Sequence, residues 1–494
     1  MIQKATVFLS FLLLVVNVAS AQGPAVHVLL KGAVKDEQGR GIPGVAVTDG
    51  ANVVRTDGRG RYTLPSTTEA SFVYLSLPAG FEVPTEESLP QFYKKIQPHR
   101  GLFRADFALR RMTRSDKKHY TILWADPQVN NAEQAALMHA TAVPDTRALV
   151  DELQKSGPVH GIAAGDISWD APPIIPEFKK AVKTMGVPFF TVLGNHDMDI
   201  HVRSDERTDS TFREHFGPAW YSFNRGEAHY VVLDNVFYYA DGYNYIGYLT
   251  ERQLKWLEQD LATVKRGAPV FVSMHIPAYT DEKKRYGLDR DPPGNITSNR
   301  RFLLDLLKPY KAHLLTGHTH YNENRTEGGA YEHIHGAVCG AWWTTPICDD
   351  GTPAGYGVYE IDGTEVKWFY KSIGKDRDHQ LRVYSRGAYP EKPADVAVNV
   401  WNWDSDWKVE WYEDGVAKGA MRQEVAYDAE AVRLMSGADK PGKYNWIEPG
   451  LTAHMFFATP SPAARVVEVV VTDRFGRRYR EELSLTANPT PARY

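Results

Sequence analysis

The feature that most constrains this chain is a repeated local pattern, in which a short apolar run ends directly at a residue able to bind a metal ion. Five such clusters occur between residues 124 and 320, with the strings WADPQ, GDISWD, GNHD, SMHIP and GHTH. Stretches with helical spacing lie between them, as at Leu254, Leu257 and Leu261. Strands that alternate with helices are typical of a layered α/β domain, whose sites gather at the carboxyl ends of the strands. We therefore predict one α/β domain with one site built from all five clusters.

The regions on either side of this pattern have a different character. Residues 22–113 and 379–494 alternate apolar and polar positions between turns that carry Gly, Pro or Asp. Short strands with frequent turn signals are typical of small antiparallel sandwiches. A chain of 494 residues also exceeds what a single hydrophobic core usually organises. We predict an N-terminal β-sandwich over 22–113, the α/β domain over 114–378, and a C-terminal β domain over 379–494.

The first 21 residues have the pattern of a secretory signal peptide. Lys4 precedes an apolar stretch from Val7 to Val18, and small residues then lead to a cleavage point after Ala21. This stretch is too short for a stable membrane span, and no later segment is long and apolar enough to cross a bilayer. We expect a mature protein without a transmembrane segment, in the periplasm or secreted. An uncleaved anchor is the alternative.

The charge balance excludes some partners. The net charge is −4 and charged residues make up 24% of the chain, which is an ordinary globular composition. Nucleic acids and anionic membranes usually call for a basic protein face. We therefore expect no nucleic acid partner, and no anionic membrane as the main partner.

The five clusters supply oxygen and nitrogen ligands without a thiolate. The candidate ligands are Asp126, Gln128, Asp166, Asn195, His275, His318 and His320. Carboxylate, amide and imidazole groups in this mixture suit Mn, Fe or Zn. Two such ions ~3.5–4 Å apart share a hydroxide that is a nucleophile at neutral pH, which is what hydrolysis of a phosphate ester needs. Holding two cations so close requires a bridging carboxylate, and we assign that role to Asp166.

These motifs resemble a known family. The ordered set D-x-Q, G-D-x-x-x-D, G-N-H-D, a lone His after a strand, and G-H-x-H resembles the calcineurin-like metallophosphoesterase superfamily over about residues 116–375. With its flanking β regions the whole chain resembles an exported bacterial branch, and GAVKDEQGRGIPGVAVTDG resembles a transthyretin-like or carboxypeptidase-regulatory-like module. The resemblance implies a metal-dependent phosphoesterase whose β-sheets are sandwiched by helices.

The resemblance also implies a division of labour among the site residues. One metal site would be formed by Asp126, Gln128, Asp166 and His320, and the other by Asp166, Asn195, His275 and His318. His196 would face the phosphate or the leaving oxygen without binding a metal. Asp197 would orient His196 by accepting its other ring N–H.

Two positions depart from the family pattern. Gln128 stands where most of the superfamily has histidine, and an amide oxygen is a neutral, weaker ligand; we interpret this as tuning of the first metal. Trp169 stands where purple acid phosphatases have a metal-bound tyrosine. An indole N–H cannot bind a metal, so we expect no purple Fe(III)–tyrosinate centre.

The segment after GHTH is the next most informative. Trp342 and Trp343 lie between the only two cysteines, Cys339 and Cys348. We predict that the two tryptophans form an apolar wall for the organic part of the substrate, with a domain interface as the alternative. His335 would line the same pocket or be structural. An oxidising compartment would allow a disulfide between the cysteines, and two free thiols are the alternative.

Three functions follow from these observations. The leading hypothesis is an exported two-metal phosphoesterase, acting on a phosphate mono- or diester of a small molecule, lipid or glycan, with His196 assisting the leaving group. The first alternative is a non-catalytic envelope protein that binds glycans or lipids and keeps a vestigial centre. The second is a phosphodiesterase for phospholipid or sphingolipid headgroups. In that case the C-terminal tryptophans would rest on a membrane, with burial against the catalytic domain as the competing explanation. These tryptophans are Trp401, Trp403, Trp407 and Trp411.

Overall fold

The computed structural model describes residues 27–97, 101–239 and 242–485. The predicted signal peptide, residues 1–21, lies outside the described residues. Within the described ranges, none of the helices has both the length and the apolar character needed to span a membrane. The domain boundaries after residues 113 and 378 stay predictions, and the three domains are named by them.

The N-terminal domain is a small β-sandwich in the described part of the chain. Its strands are β1 (His27–Lys35), β2 (Ala46–Thr48), β3 (Val53–Arg55), β4 (Arg61–Thr67), β5 (Phe72–Ser76), β6 (Thr85–Glu86), β7 (Leu89–Pro90), β8 (Tyr93–Lys95), β9 (Gly101–Arg104) and β10 (Phe107–Ala108). One sheet has the order β10-β1-β4, with β9 also paired to β1, and the other has the order β3-β2-β5-β8. Alternate residues of β1, β4 and β5, such as Leu30, Leu64 and Leu75, are fully buried and form one core between the sheets.

The central domain holds the strand and helix alternation that the sequence predicts. Its strands are β11 (Lys118–Trp124), β12 (Val159–Ala163), β13 (Phe189–Thr191), β14 (Tyr221–Arg225), β15 (Ala228–Val232), β16 (Val236–Tyr238), β17 (Tyr245–Gly247), β18 (Pro269–Ser273), β19 (Lys311–Thr316), β20 (Glu323–Glu327), β21 (Ala330–Ile334), β22 (Gly355–Asp362) and β23 (Glu365–Ser372). Its α-helices are α1 (Ala132–Ala140), α2 (Ala142–Leu153), α3 (Ile175–Met185), α4 (Ser210–Phe216), α5 (Glu251–Leu261), α6 (Glu282–Tyr286) and α7 (Arg300–Leu307). Short 3₁₀ turns occur at Pro172–Ile174, Asn195–Asp197 and Asp205–Arg207.

Two sheets of this domain pack face to face. The first has the order β13-β12-β11-β22-β23, and the second has the order β14-β15-β18-β19-β21-β20. Aromatic stacking joins their inner faces, since the rings of Phe190 and Phe223 lie 3.8 Å apart and nearly parallel. Helices α1 to α4 cover the first sheet, and α5 and α7 cover the second, with buried residues such as Phe178 and Trp256. This layered α/β arrangement confirms the predicted fold class.

Five histidines, which we call the interface histidines, lie in or beside the interface between the two sheets. His119, His160, His333 and His335 are buried, and His313 is half-buried. Burial lowers the pKa of His119, His313 and His335 to about 4, and lowers the pKa of His160 and His333 well below the ordinary value. These imidazoles are therefore neutral in the folded protein at neutral pH.

The C-terminal domain is a second sandwich with a core of its own. Its elements are β24 (Arg382–Tyr384), β25 (Val396–Asn399), β26 (Lys408–Glu413), β27 (Val416–Ala420), β28 (Arg422–Tyr427), α8 (Ala429–Met435), β29 (Leu451–Ala458), β30 (Val466–Thr472) and β31 (Arg478–Ser484). The sheets have the orders β24-β25-β29-β28 and β27-β26-β30-β31. Trp401 and Trp407 are buried, and Trp403 and Trp411 pack partly buried against the core of this domain. Burial against the catalytic domain is thus not what the structure shows for Trp403, Trp407 and Trp411, which pack on the core of their own domain.

Candidate metal centre

All candidate ligands follow strands whose carboxyl ends meet at one place. Asp126, Asp166 and Asn195 come shortly after β11, β12 and β13 of the first sheet. His275 and His318 follow β18 and β19 of the second sheet in the same way. Neighbouring parallel strands end on the same side of a sheet, so the two packed sheets bring these five side chains together. The predicted convergence of the five clusters is what the structure shows.

Asp166 lies at the middle of the cluster. Its Oδ2 accepts a hydrogen bond of 3.0 Å from the Gln128 amide, and its Oδ1 accepts one of 2.9 Å from the backbone N–H of His196. The same Oδ1 is 3.2 Å from His275 Nε2. One ligand atom each of Asp166, His275 and His318 lies within 4.8 Å of the others. A carboxylate in this place contacts ligands of both predicted metal sites, which is what a bridging ligand has to do.

The ring of His275 is oriented for metal binding. Its Nδ1 lies 2.9 Å from the carbonyl oxygen of Ala164, so Nδ1 carries the proton that the carbonyl accepts. Its Nε2 points toward the centre, 2.9 Å from Asn195 Oδ1 and 3.1 Å from His318 Nδ1. A backbone acceptor that fixes the tautomer is the usual support for a metal-binding imidazole.

The other half of the centre contains buried polar atoms with no hydrogen-bond partner. Gln128 Oε1 and His320 Nδ1 are both in this state. Leaving such atoms unpaired in the protein interior costs free energy, and the cost is removed when a cation binds them. Because both are suitable metal-ligand atoms, the donor set fits a metal ion here. The orphaned atom of Gln128 is the amide oxygen, so the departure from histidine still provides a ligand.

The backbone at the ligands is strained. The φ angles are 48° for Asp126, 42° for Gln128, 49° for Asp166, 72° for His318 and 57° for His320. Residues other than glycine rarely adopt the left-handed region, and such residues cluster at functional sites, where the surrounding structure over-determines them. The two packed sheets hold these turns in place, so the ligands are positioned before any ion arrives.

Two motif glycines are required by close approach. A Cβ added at Gly194 would lie 2.0 Å from the backbone nitrogen of Asp166 and 2.2 Å from its Oδ1. A Cβ added at Gly317 would lie 2.4 Å from Asp126 Oδ2. No side chain fits at these distances, which gives a physical reason for the glycine that precedes the ligand in GNHD and GHTH.

Burial and charge set the protonation of the centre. Burial raises the pKa of Asp126 to about 7, and lowers the pKa of His318 to about 3 and that of His320 to about 4. For Asp166, burial acts to raise the pKa, but the charges of His275 and His196 and their hydrogen bonds hold it below its usual value. Burial alone would lower the pKa of His275, but Asp166 raises it to about 9. Asp126 and Asp166 are thus two buried carboxylates in one centre, and a bound cation would compensate their negative charge.

His196 is paired with a different carboxylate from the one predicted. Its Nδ1 lies 2.9 Å and 3.0 Å from the two oxygens of Asp170, and about a quarter (24%) of its side chain is exposed. Asp197 is buried, and its oxygens accept the backbone N–H groups of Ile167, Ser168 and Gly194. The prediction that Asp197 orients His196 is therefore wrong, because the Asp197 carboxylate is already used to tie together the loops that carry Asp166 and Asn195.

Family models decide what this geometry belongs to. The calcineurin-like phosphoesterase model matches residues 138–322, the model for the N terminal of calcineurin-like phosphoesterase matches 29–112, and the model for its C terminal matches 332–479. The chain belongs to the calcineurin-like phosphoesterases. The predicted enzyme class, a metal-dependent phosphoric ester hydrolase, is thereby confirmed, as is the presence of N- and C-terminal extension domains. No curated protein matches the sequence.

Several solved structures are similar to this phosphoesterase at low identity. A dimetal phosphatase from Danio rerio is 15% identical, with a TM-score of 0.34, and the match covers 52% of this chain and 97% of that one. A purple acid phosphatase from seeds of yellow lupin (Lupinus luteus) is 14% identical, with a TM-score of 0.36, over 65% of this chain and 56% of that one. The phosphopantetheinyl hydrolase of Mycobacterium tuberculosis is 12% identical, with a TM-score of 0.29, over 45% and 91%.

The two tryptophans after GHTH have different places in this phosphoesterase. The Trp342 ring stacks on the imidazole of His320, with centroids 4.4 Å apart. Trp343 donates its indole N–H to the carbonyl oxygen of Pro127, 2.9 Å away, and so supports the loop between Asp126 and Gln128 from behind. Trp342 thus lies at the centre itself. The predicted wall role for Trp343 does not fit this position.

Two further expectations for this segment are corrected. His335 is buried against the hydroxyl of Tyr359, 2.9 Å away, so it is structural and does not line the pocket. Cys339 and Cys348 are free thiols packed in one buried apolar cluster. Burial raises the pKa of both thiols well above the ordinary value, so they stay protonated. The predicted disulfide is therefore absent, and the alternative of two free thiols holds.

The structure also places at the centre residues that the sequence did not predict. Asn295 Oδ1 lies 3.2 Å from His318 Nε2, and the Tyr245 ring lies edge-on to His318 at 6.0 Å. From the C-terminal domain, Tyr444 lies 5.0 Å from Trp169. Only Asp170 had a visible signal, as the second carboxylate of G-D-x-x-x-D. Asn295 and Tyr444 come from loops without a motif, and Tyr245 begins the short strand β17.

Proposed function

We propose that this chain is an exported two-metal phosphoesterase that hydrolyses phosphate mono- or diesters, with His196 assisting the leaving oxygen. The observation that carries the proposal is the convergence on Asp166 together with the orphaned Gln128 Oε1 and His320 Nδ1. When bound, the ions supply an activated water and stabilise charge on the phosphoryl oxygens. Their identity among Mn, Fe and Zn is left to metal analysis.

The protein groups have separate tasks in this proposal. One ion would be held by Asp126, Gln128, Asp166 and His320, and the other by Asp166, Asn195, His275 and His318. The partly exposed His196 has its Nδ1 engaged by Asp170, so its Nε2 is the atom available to give a proton to the leaving oxygen. Stabilising the leaving oxygen in this way contributes most for alcohols that leave poorly.

Export is part of the proposal and is supported by the N-terminal pattern alone. The segment from Lys4 through Ala21 has the charge, apolar stretch and small residues of a cleavable signal. Expression in a Gram-negative host, followed by fractionation and N-terminal sequencing, should recover a chain that begins at Gln22 outside the cytoplasm. A full-length cytoplasmic product would contradict export without affecting the catalytic proposal.

Hydrolysis of p-nitrophenyl phosphate and bis-p-nitrophenyl phosphate tests the catalytic proposal directly. We expect activity with Mn²⁺, loss after chelation, about two ions per chain, and a fall of more than about 10³-fold in Asp166→Asn because a bridging ligand is lost. Asp376→Asn, a change at an exposed aspartate outside the site, should have no effect. Activity that survives chelation, or that is unchanged in Asp166→Asn, would overturn the proposal. The preferred ester identifies a mono- or a diesterase.

A further inference from the structure

Four aromatic rings form a continuous surface beside the metal centre, which we call the aromatic wall: Trp169, Trp342, Tyr444 and Trp446. The ring centroids are 5.0 Å apart for Trp169 and Tyr444, and 4.6 Å apart for Trp342 and Trp446. The centroids of the other three neighbouring ring pairs, Trp169–Trp342, Trp169–Trp446 and Tyr444–Trp446, are 6.1 to 6.4 Å apart. Three separate segments contribute: the GDISWD loop, the loop after GHTH, and residues 444–446 of the C-terminal domain.

The aromatic wall adjoins the chemistry on two sides. Trp342 stacks on the metal-ligand candidate His320 at 4.4 Å. Trp169 lies edge-on to His196 with centroids 6.2 Å apart. His196 also has the exposed ring of Tyr243 at 6.4 Å. The alcohol part of an ester whose leaving oxygen is next to His196 would therefore lie beside aromatic rings.

The C-terminal part of the wall is firmly anchored. Ile447 is buried in a cluster with Ala341 of the catalytic domain. The side-chain amide of Gln134, on α1, donates to the Tyr444 hydroxyl at 3.2 Å and to the Trp342 carbonyl oxygen at 3.4 Å. Tyr444 itself has a left-handed φ of 59°. These contacts fix the segment on either side of Trp446.

Trp446 is the exception within this anchored segment, because 51% of it is exposed. A ring whose only task is to join two domains would be buried, since each exposed Å² of apolar surface costs about 25 cal/mol. Keeping a large indole half open beside a catalytic centre is typical of a ligand-contact surface. The domain contact is already supplied by Ile447 and Tyr444.

We propose that the C-terminal domain completes the substrate site, and that the aromatic wall stacks on a planar aromatic group in the alcohol part of the ester. This inference rests on the proposed function, because the bound group belongs to a substrate only if the chain hydrolyses phosphate esters. A planar group fits better than a quaternary ammonium, because the accessible part of the wall is the half-exposed Trp446 indole, while Trp342 and Tyr444 pack against that ring. Aromatic stacking tolerates both aryl groups and nucleobases.

Equilibrium binding of phosphonates, whose C–P bond the reaction does not break, tests the inference apart from turnover. With Mn²⁺-loaded protein, calorimetry should show phenylphosphonate binding about tenfold more tightly than methylphosphonate, a factor typical of one stacking contact. Trp446→Ala should weaken the binding of phenylphosphonate alone, so that the two phosphonates bind with nearly equal affinity. Trp446→Phe should keep most of the preference for phenylphosphonate. Phe302→Ala, a change at an aromatic residue that is 61% exposed and outside the wall, is the matched control and should change neither.

The outcomes separate this inference from the proposed function. Loss of phenyl preference in Trp446→Ala supports the wall even if no ester is hydrolysed, which would remove only the catalytic proposal. An unchanged preference, an equal loss for both phosphonates, or no binding of either to the wild type overturns the inference, whatever the hydrolysis assay shows. A nucleoside 5′-phosphonate added as a third probe distinguishes the source: a larger loss than for phenylphosphonate indicates a nucleobase, and an equal loss indicates a simple aryl group.

Discussion

The two β-sandwich domains are attached to the catalytic domain in different ways. The N-terminal domain shares its core with the two central sheets, and its Phe92 ring packs on Tyr221 at 4.7 Å and faces Phe190 at 6.3 Å. Among the described residues, no hydrogen bond, ion pair or ring contact joins that domain to a candidate metal ligand. The C-terminal domain has a separate core, yet it extends Tyr444 and Trp446 to the centre.

This difference indicates that similar folds flank the enzyme for different reasons. A shared core means that the N-terminal domain and the catalytic sheets should unfold together. The C-terminal domain has a core of its own and joins the catalytic domain through surface contacts, such as Arg477 with Glu360 and Phe475 with Trp368, so it can change the site without forming the core between the sheets. Changes in the first domain should therefore affect stability alone, and changes at the contacts of the second should affect substrate binding as well.

The largest expected effect is an acid-induced loss of stability in the shared core. The five interface histidines, among them His119, His313 and His335, have lowered pKa values in the folded chain, while an unfolded histidine titrates near ~6.5. Between pH ~6.5 and about 4 these histidines bind more protons in the unfolded chain, so their contribution to the free energy of unfolding falls as the pH falls. Each unit of pKa depression corresponds to about 1.4 kcal/mol, and we expect the histidines together to contribute a loss of roughly 5 kcal/mol or more.

Denaturant unfolding from pH 7.5 to 4.5 measures this loss. Buried carboxyls with raised pKa values act in the opposite direction: burial raises the pKa of Glu332 and Asp349 to about 8, and that of Asp205 and Asp209 to about 6. His333→Gln should flatten the pH dependence by about one proton. All five interface histidines lie in the central domain, so proteolysis at low pH should cleave that domain before the C-terminal one. A pH dependence that is the same in His333→Gln as in the wild type would contradict the neutral histidine core.

The next effect is expected from Phe92→Ala in the N-terminal domain. Phe92 is 3% exposed, and its ring contacts residues of both central sheets. Removing it leaves a cavity, so we expect the free energy of unfolding to fall by about 3–5 kcal/mol in denaturant titrations. Well below the unfolding transition, kcat and KM should match the wild type. A lower kcat/KM in the folded variant would show that this domain also serves the site.

His454→Ala tests the attachment of the C-terminal domain. His454 Nε2 lies 3.0 Å from a carboxylate oxygen of Asp350, which is fully buried at the edge of the catalytic domain. The change removes one hydrogen-bonding partner from a buried carboxylate that keeps the backbone N–H groups of Asn322 and Thr352, at a cost of about 1–3 kcal/mol. Calorimetry should show an early transition for the third domain, and phenylphosphonate binding should weaken with it. An unaltered single transition would mean that the two domains do not separate at this contact.

The convergence of the candidate metal ligands was predictable because each of these residues belongs to a local motif. A strand end, a tight turn and a ligand are encoded within a few residues, and the parallel arrangement of the strands does the rest. Even Gln128 could be placed, since its position in the first motif does not depend on its identity. The layered fold was predictable for the same reason, from strand and helix periods along the chain.

The partners of those motifs were less predictable. Trp446 is more than a hundred residues beyond Trp342, and no spacing rule connects a loop of one domain to the loop of another. The distinction between Asp170 and Asp197 is also tertiary. Asp170 and Asp197 belong to the two consecutive motifs GDISWD and GNHD, the second of which contains His196. Only the packing of the two loops shows that Asp197 accepts backbone N–H groups while Asp170 contacts the imidazole.

The smallest effect tests this last distinction, at the loop that also carries Trp169 toward the C-terminal domain. Asp170→Asn keeps the side-chain shape but weakens the bond that orients His196, so we expect kcat to fall roughly tenfold with KM and metal content unchanged. Asp197→Asn is the matched variant. It places an amide N–H against backbone N–H donors of the loops bearing Asp166 and Asn195, and should lower stability and metal content together. If Asp197→Asn instead retained its metal and lost only kcat, the carboxylate that orients His196 in catalysis would be Asp197, and Asp170 would have no part in the chemistry.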